Sequence, residues 1–109
     1  MRFADVRRHA LALPETTEEP HFHYASFRVG GRIFVSVPPD ETCIHVFVPE
    51  QEREIALGLH PQFVEKLFWG KKVAGLRVLL AEADPGVVLR LVEKAWAGKA
   101  PKRLLKPAR

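Results

Sequence analysis

The chain has one cysteine, no asparagine, two glutamines, two serines and no uninterrupted apolar run near 18 residues. Each shortage excludes something. Cys43 alone cannot close an internal disulfide, which fits a reducing compartment. With no long apolar segment and no charged-then-apolar leader, neither a membrane span nor a secretory signal is expected, and the reading is a cytoplasmic protein. There is no Gly-x-Ser-x-Gly elbow, no phosphate-cradling Gly-rich loop and no His-Glu-x-x-His. Ser26 and Ser36 fall on paired strands rather than at a strained turn that would expose a nucleophile. Glu18 and Glu19 beside His21 read as a solvated acidic turn, because no pocket is expected there to perturb their pKa values. The expectation is therefore a non-enzyme with no cofactor and no small-molecule ligand. The missing asparagine, nine prolines and an excess of Arg over Lys lean toward a thermophilic source.

What is present fixes a fold class. Phe22 to Val37, FHYASFRVGGRIFVSV, reads as two alternating β-runs meeting at Gly30 and Gly31, which supply the positive φ angles of a two-residue turn. A two-residue loop pairs Val29 with Arg32 and predicts that Phe27 faces Phe34. His23, Ala25, Val29 and Ser36 then share that face, while Tyr24, Ser26, Arg28, Ile33, Val35 and Val37 take the other. Both faces are substantially apolar. Helices cover only one face of a two-layer domain, so the other is expected to meet a partner or the chain's own tail.

The remaining elements follow from period and punctuation. A first helix is predicted from Phe3 to Leu13, ended by Pro14, and an acidic loop with Glu15, Glu18 and Glu19 leads to Pro20. Cys43 to Val48 reads as a strand, and Pro49 opens a helix with Glu50 and Glu52 in its first turn. Gln62 to Trp69 and Leu76 to Ala81 read as two further strands around Gly70, Lys71 and Lys72, although Phe63 to Phe68 also suits a short helical turn. The last helix has Asp84 as N-cap, Pro85 at its first position and the stripe Val88, Leu91, Val92, Ala95, Trp96. The class is a two-layer α+β fold of order α-β-β-β-α-β-β-α, an antiparallel sheet with helices packed on one face. At 109 residues one domain is expected, with residues 1–98 forming it and 99–109 a basic C-terminal tail.

The charge is unevenly placed. Lys94, Lys99, Lys102, Arg103, Lys106 and Arg109 follow Glu93 with no further acid, and the rest of the chain, with 11 basic and 13 acidic residues, is slightly acidic. A basic tail can neutralise phosphates without reading sequence. The same lysines also suit a helix C-terminus and a soluble surface. Trp69 beside Lys71 and Lys72 reads either as a platform on which bases stack or as a core aromatic. Arg28 and Arg32 on the hairpin would extend the basic surface. The candidate nucleic-acid-binding residues are thus Arg28, Arg32, Trp69, Lys71, Lys72, Lys99, Lys102, Arg103 and Lys106. His21 with His23, and Cys43 with His45, each place two potential ligands on one face of a strand. An intervening strand would hold the two backbones roughly 9 to 10 Å apart, awkward for four ligands around one zinc ion, so no metal site is expected.

In order, these pieces resemble the YjbR or MmcQ-like family of small bacterial proteins: the helix ending in Leu13-Pro14, the acidic stretch before the strand, FRVGGRIFV, the Pro49-Glu50 helix start, His60 to Phe63 as HPQF, Trp69-Gly70-Lys71, and Ala100 to Arg103 as APKR. The chain departs from many members at Val73-Ala74-Gly75, where they carry an aromatic. The resemblance implies an α-β(3)-α-β(2)-α fold similar to type III secretion chaperones, and DNA as a partner; it implies no catalytic residues. Two function classes stand against each other: a non-sequence-specific DNA-binding module, or a protein-interaction or chaperone-like domain, in its simplest form a homodimer, using an apolar sheet face with Tyr24, Val35 and Val37.

Overall fold

A computed structural model describes residues 1–105. Six antiparallel strands form one sheet: β1 (Thr16–His21), β2 (Tyr24–Val29), β3 (Arg32–Val37), β4 (Cys43–Val46), β5 (Val64–Trp69) and β6 (Lys72–Leu79), in the order β1-β2-β3-β4-β6-β5. Three helices complete it: α1 (Phe3–Ala12), α2 (Glu50–Leu59) and α3 (Pro85–Lys99), followed by a 3-10 turn at Lys102–Leu104. The α+β class and the order of helices around the sheet agree with the sequence reading, with one strand more.

That extra strand is β1, where the sequence suggested an acidic loop. Its six residues, TTEEPH, are mostly exposed and pair with β2 from Thr16↔Val29 to His21↔Tyr24. Glutamates and a proline suit an edge strand, because one side of its backbone has no ladder to complete and charge there discourages further pairing. Phe22 and His23, expected to begin a strand, instead make a tight turn between β1 and β2. Phe22 sits at φ 57° in left-handed backbone.

The turn at Gly30 and Gly31 is as expected, with φ of 58° and 77°. The register beyond it is not. Val29 pairs with Arg32 and Arg28 with Ile33, but a β-bulge then shifts the ladder, so Phe27 pairs with Val35 rather than Phe34, and Ala25 with Val37. Phe34 is the additional residue on β3. A bulge breaks the period of two, and this lets consecutive Phe34 and Val35 both be fully buried. Val35 and Val37, placed on the open face by the sequence reading, therefore point to the helices, 0% and 1% exposed.

The core lies between the sheet and the helices. The α3 stripe Val88, Leu91, Val92, Ala95 and Trp96 is buried with Phe27, Val35, Ile44, Val46, Leu76 and Val78 from the strands. Helix α3 starts as its sequence predicts, the Asp84 carboxylate accepting hydrogen bonds from the Gly86 and Val87 amides. Phe3, Val6 and Ala10 of α1 close one side of the core, and the Trp96 indole N–H donates to the Pro14 carbonyl at 3.0 Å, tying α3 to the link between α1 and β1. No helix among the described residues is long and apolar enough to cross a membrane.

Candidate nucleic-acid interface

Strand direction decides which side chains meet. Strands β2 and β5 run toward the turns at Gly30-Gly31 and Gly70-Lys71, and their antiparallel partners put both turns at one end of the sheet. The chain after α3 arrives at the same end: Pro101 lies against Gly30, and Gly98 against Pro49 just beyond β4. Arg32, Lys71, Lys72, Lys99 and Lys102, drawn from three separate segments, thus gather where the sequence could only place them one by one. Among the described residues none of these five forms an ion pair, and all but half-buried Lys99 are exposed.

Two other candidates are engaged within the protein. Arg28 is half-buried on the open face of the sheet and donates to the Ser26 hydroxyl at 3.2 Å and the Pro20 carbonyl at 3.4 Å, which turns it away from the cluster. Arg103 donates two hydrogen bonds to the Glu15 carboxylate, at 2.6 and 2.7 Å. This contact holds the Glu15 carboxyl below its ordinary range. Leu104, one residue on, packs against the core. Residues 99–105 are therefore attached to the sheet. Lys106 lies outside the described residues.

Trp69 is not a core aromatic. It is 65% exposed at the end of β5, with its ring against Phe47 at a centroid distance of 5.5 Å, and Phe68 beside it is 54% exposed. Sequence reasoning passed over Phe47. Its signal was the alternation Cys43, His45, Phe47, which places all three on the open face.

The middle of that face is polar. Ser36 Oγ lies 3.3 Å from His45 Nδ1, the Tyr24 ring stands 5.8 Å from the His45 ring, and Arg77 reaches Glu65 at 3.6 Å. Burial, and secondarily the positive charge of Arg77, hold the His45 imidazole below its ordinary pKa, and burial pushes the Cys43 thiol up. His21 sits on β1 and Cys43 and His45 on β4, with two strands between them, and no three potential ligands gather closely enough to hold a metal ion among the described residues. A hollow of about 550 Å³ opens at the opposite end beside Phe22 and Tyr24 and is lined by Glu18, Glu19 and Glu41 among others. Glu18 is paired with Arg7 at 2.9 Å, which leaves Glu19 and Glu41 to repel phosphate there. The molecule is thus acidic at one end of the sheet and basic at the other.

A two-layer α+β domain with a six-stranded antiparallel sheet and a basic end is the class this architecture defines. The family model described as YjbR matches residues 11–97, and the chain belongs to the YjbR family. Among solved structures it is similar to the Deinococcus radiodurans protein DR2400, described as carrying a DUF419 domain, at 20% identity and a TM-score of 0.77, covering 97% of this chain and 89% of that one. That likeness is one of fold. No curated protein matches the chain.

Proposed function

We propose that this YjbR chain is a binding module rather than an enzyme, and that it grips the phosphate backbone of DNA without reading sequence. The observation that carries the reading is the convergence of Arg32, Lys71, Lys72, Lys99 and Lys102 at one end of the sheet with no internal carboxylate partner among the described residues. Cations left unpaired by the fold are free to replace the counterions of a nucleic acid, and releasing those ions drives association. The carboxylates at the far end orient the molecule so that its basic end leads.

Fluorescence anisotropy of a labelled DNA duplex over a salt series tests this. If all five side chains meet phosphate, the log-log slope lies near −4.5, about 0.9 per contact. Replacing Lys71, Lys72 and Lys102 together by Glu should abolish binding at moderate salt while the thermal midpoint stays close to that of the parent. Undiminished affinity would overturn the proposal.

A second reading rests on Phe68 and Trp69, large apolar side chains exposed on an edge strand whose outer backbone has no strand partner among the described residues. Self-association through β5 is its simplest form. Salt separates the two, since burial of apolar surface holds or strengthens as ionic strength rises and phosphate contacts weaken.

A further inference from the structure

Beside Trp69 the open face of the sheet hollows into a pocket of about 200 Å³, lined by Trp69, Phe47, Ile33, Ser36, His21 and Lys99 among others. It differs from the acidic hollow in size and in the sign of its charge. Two of its walls are aromatic. Phe47 settles close over β6 because Gly75 has no side chain: a Cβ there would stand 3.1 Å from Phe47 Cδ1 and 2.7 Å from the Val46 carbonyl oxygen. The Ser36 hydroxyl, 6% exposed and held 3.3 Å from His45 Nδ1, brings a hydrogen-bonding group to the hollow, as does His21. Lys99 contributes a cation, and Lys71 and Lys72 follow Trp69 around the turn.

The volume selects the ligand's size. Pockets for drug-sized molecules run from about 300 to 1,000 Å³, so this one suits a single planar ring system. A flat ring with polar edges, carried on a chain with a negative charge on either side, matches aromatic walls, a buried hydroxyl and flanking lysines. The geometry points to one unpaired nucleobase stacked on Trp69 in this pocket, its neighbouring phosphates held by Lys99 and the Lys71-Lys72 turn, so that the protein prefers single-stranded to duplex nucleic acid. In a duplex each base is already stacked and paired, and drawing one out costs both interactions. Stacking on an aromatic ring accepts any base, so the preference is for strandedness and not for sequence. This inference rests on phosphate binding at the same end of the sheet and adds the base to it.

A short oligothymidine, the same oligomer annealed to its complement, and an abasic oligomer of equal length separate the two. All three carry the phosphates and only the first offers a free base. Oligothymidine should bind roughly tenfold or more tightly than the abasic chain, as expected when one base stacks on an aromatic side chain, and more tightly than the duplex. Binding should also quench tryptophan emission. The quench reports on Trp69, because the other indole, Trp96, is 9% exposed and bonded to the Pro14 carbonyl. Trp69→Ala should remove the advantage of oligothymidine and leave abasic affinity in place; since Trp69 is exposed, its thermal midpoint serves as the check that the variant is folded. Oligouridine shows which sugar is accepted, and a base-dependent gain with either sugar supports the pocket. Equal, salt-sensitive affinity for oligothymidine and the abasic chain would overturn the base pocket and leave the phosphate proposal standing. Failure of all the oligomers, duplex included, would overturn both.

Discussion

Arg103 and Glu15, 88 positions apart in the chain, form a two-pronged ion pair that clamps the segment after α3 onto the chain just before β1. A guanidinium engaged through both terminal nitrogens has less to offer a phosphate than a lysine beside it with no ion-pair partner among the described residues. The basic residues of the C-terminal segment are thereby sorted: Arg103 fastens, while Lys99 and Lys102 remain available.

Arg103→Gln should therefore leave DNA affinity nearly unchanged, whereas Lys102→Gln should lower the salt slope by about 0.9, one phosphate contact. Anisotropy over a salt series with the two variants decides it. Equal losses would mean that the clamp opens on binding.

Gly75→Ala should destabilise the fold by about 1–3 kcal/mol, the usual cost of forcing an extra methyl into a packed site. The new Cβ would lie 2.7 Å from the Val46 backbone oxygen, and strand backbone cannot swing aside as a side-chain tip can. Urea denaturation gives the number; an unchanged midpoint would contradict the close approach of β4 and β6.

Two phenylalanines should respond in opposite directions. Phe34, fully buried at the bulge, should cost about 3–5 kcal/mol when cut to Ala. Phe22, 89% exposed with left-handed backbone, should gain stability on replacement by Gly. Left-handed backbone costs an ordinary residue about 1–2 kcal/mol, which exceeds the roughly 0.5–1 kcal/mol of extra chain entropy that Gly brings. Thermal melts of Phe22→Gly and Phe34→Ala would show both, and a lower midpoint for the glycine variant would count against strain at position 22.

His45 should make stability depend on pH near neutrality. Its folded-state pKa lies below the ordinary value of 6.5, so the unfolded chain takes up the proton first. Stability is then fully present above about 6.5 and falls as pH drops through the folded value. Glu15 and Asp5, whose carboxyls are held low by Arg103 and by Arg8, lose their contributions only at more acid pH, below their unfolded values. Midpoints measured from pH 7.5 down to about 5 should fall for the parent and flatten for His45→Gln; parallel curves would place the titration elsewhere.

Much of this arrangement is written locally. Asp84 and Pro85 start α3 because a carboxylate caps free amides and proline needs no N–H there, and the stripe through Trp96 finds the core by its helical period. The Gly30-Gly31 turn was equally legible, since positive φ at two successive residues leaves few other choices. Such signals lie within a few residues of one another and survive without knowledge of the rest of the chain.

Tertiary structure decided the rest. Counting outward from the hairpin placed Phe27 opposite Phe34 and put Val35 and Val37 on the open face, but a single residue inserted at the bulge reverses every side chain beyond it, and burial of the strand ends rewards that reversal. Strand β1 looked like a loop because its exposed edge residues are almost all polar, and only its neighbour β2 identifies it. The sequence by itself determined the fold class, the hairpin and the capped last helix. Sheet order and the return of the chain along α3 determined that Arg32, Lys71, Lys72, Lys99 and Lys102 stand at the same end of the sheet as Trp69, because closeness among residues distant in the chain is set by packing and not by local preference.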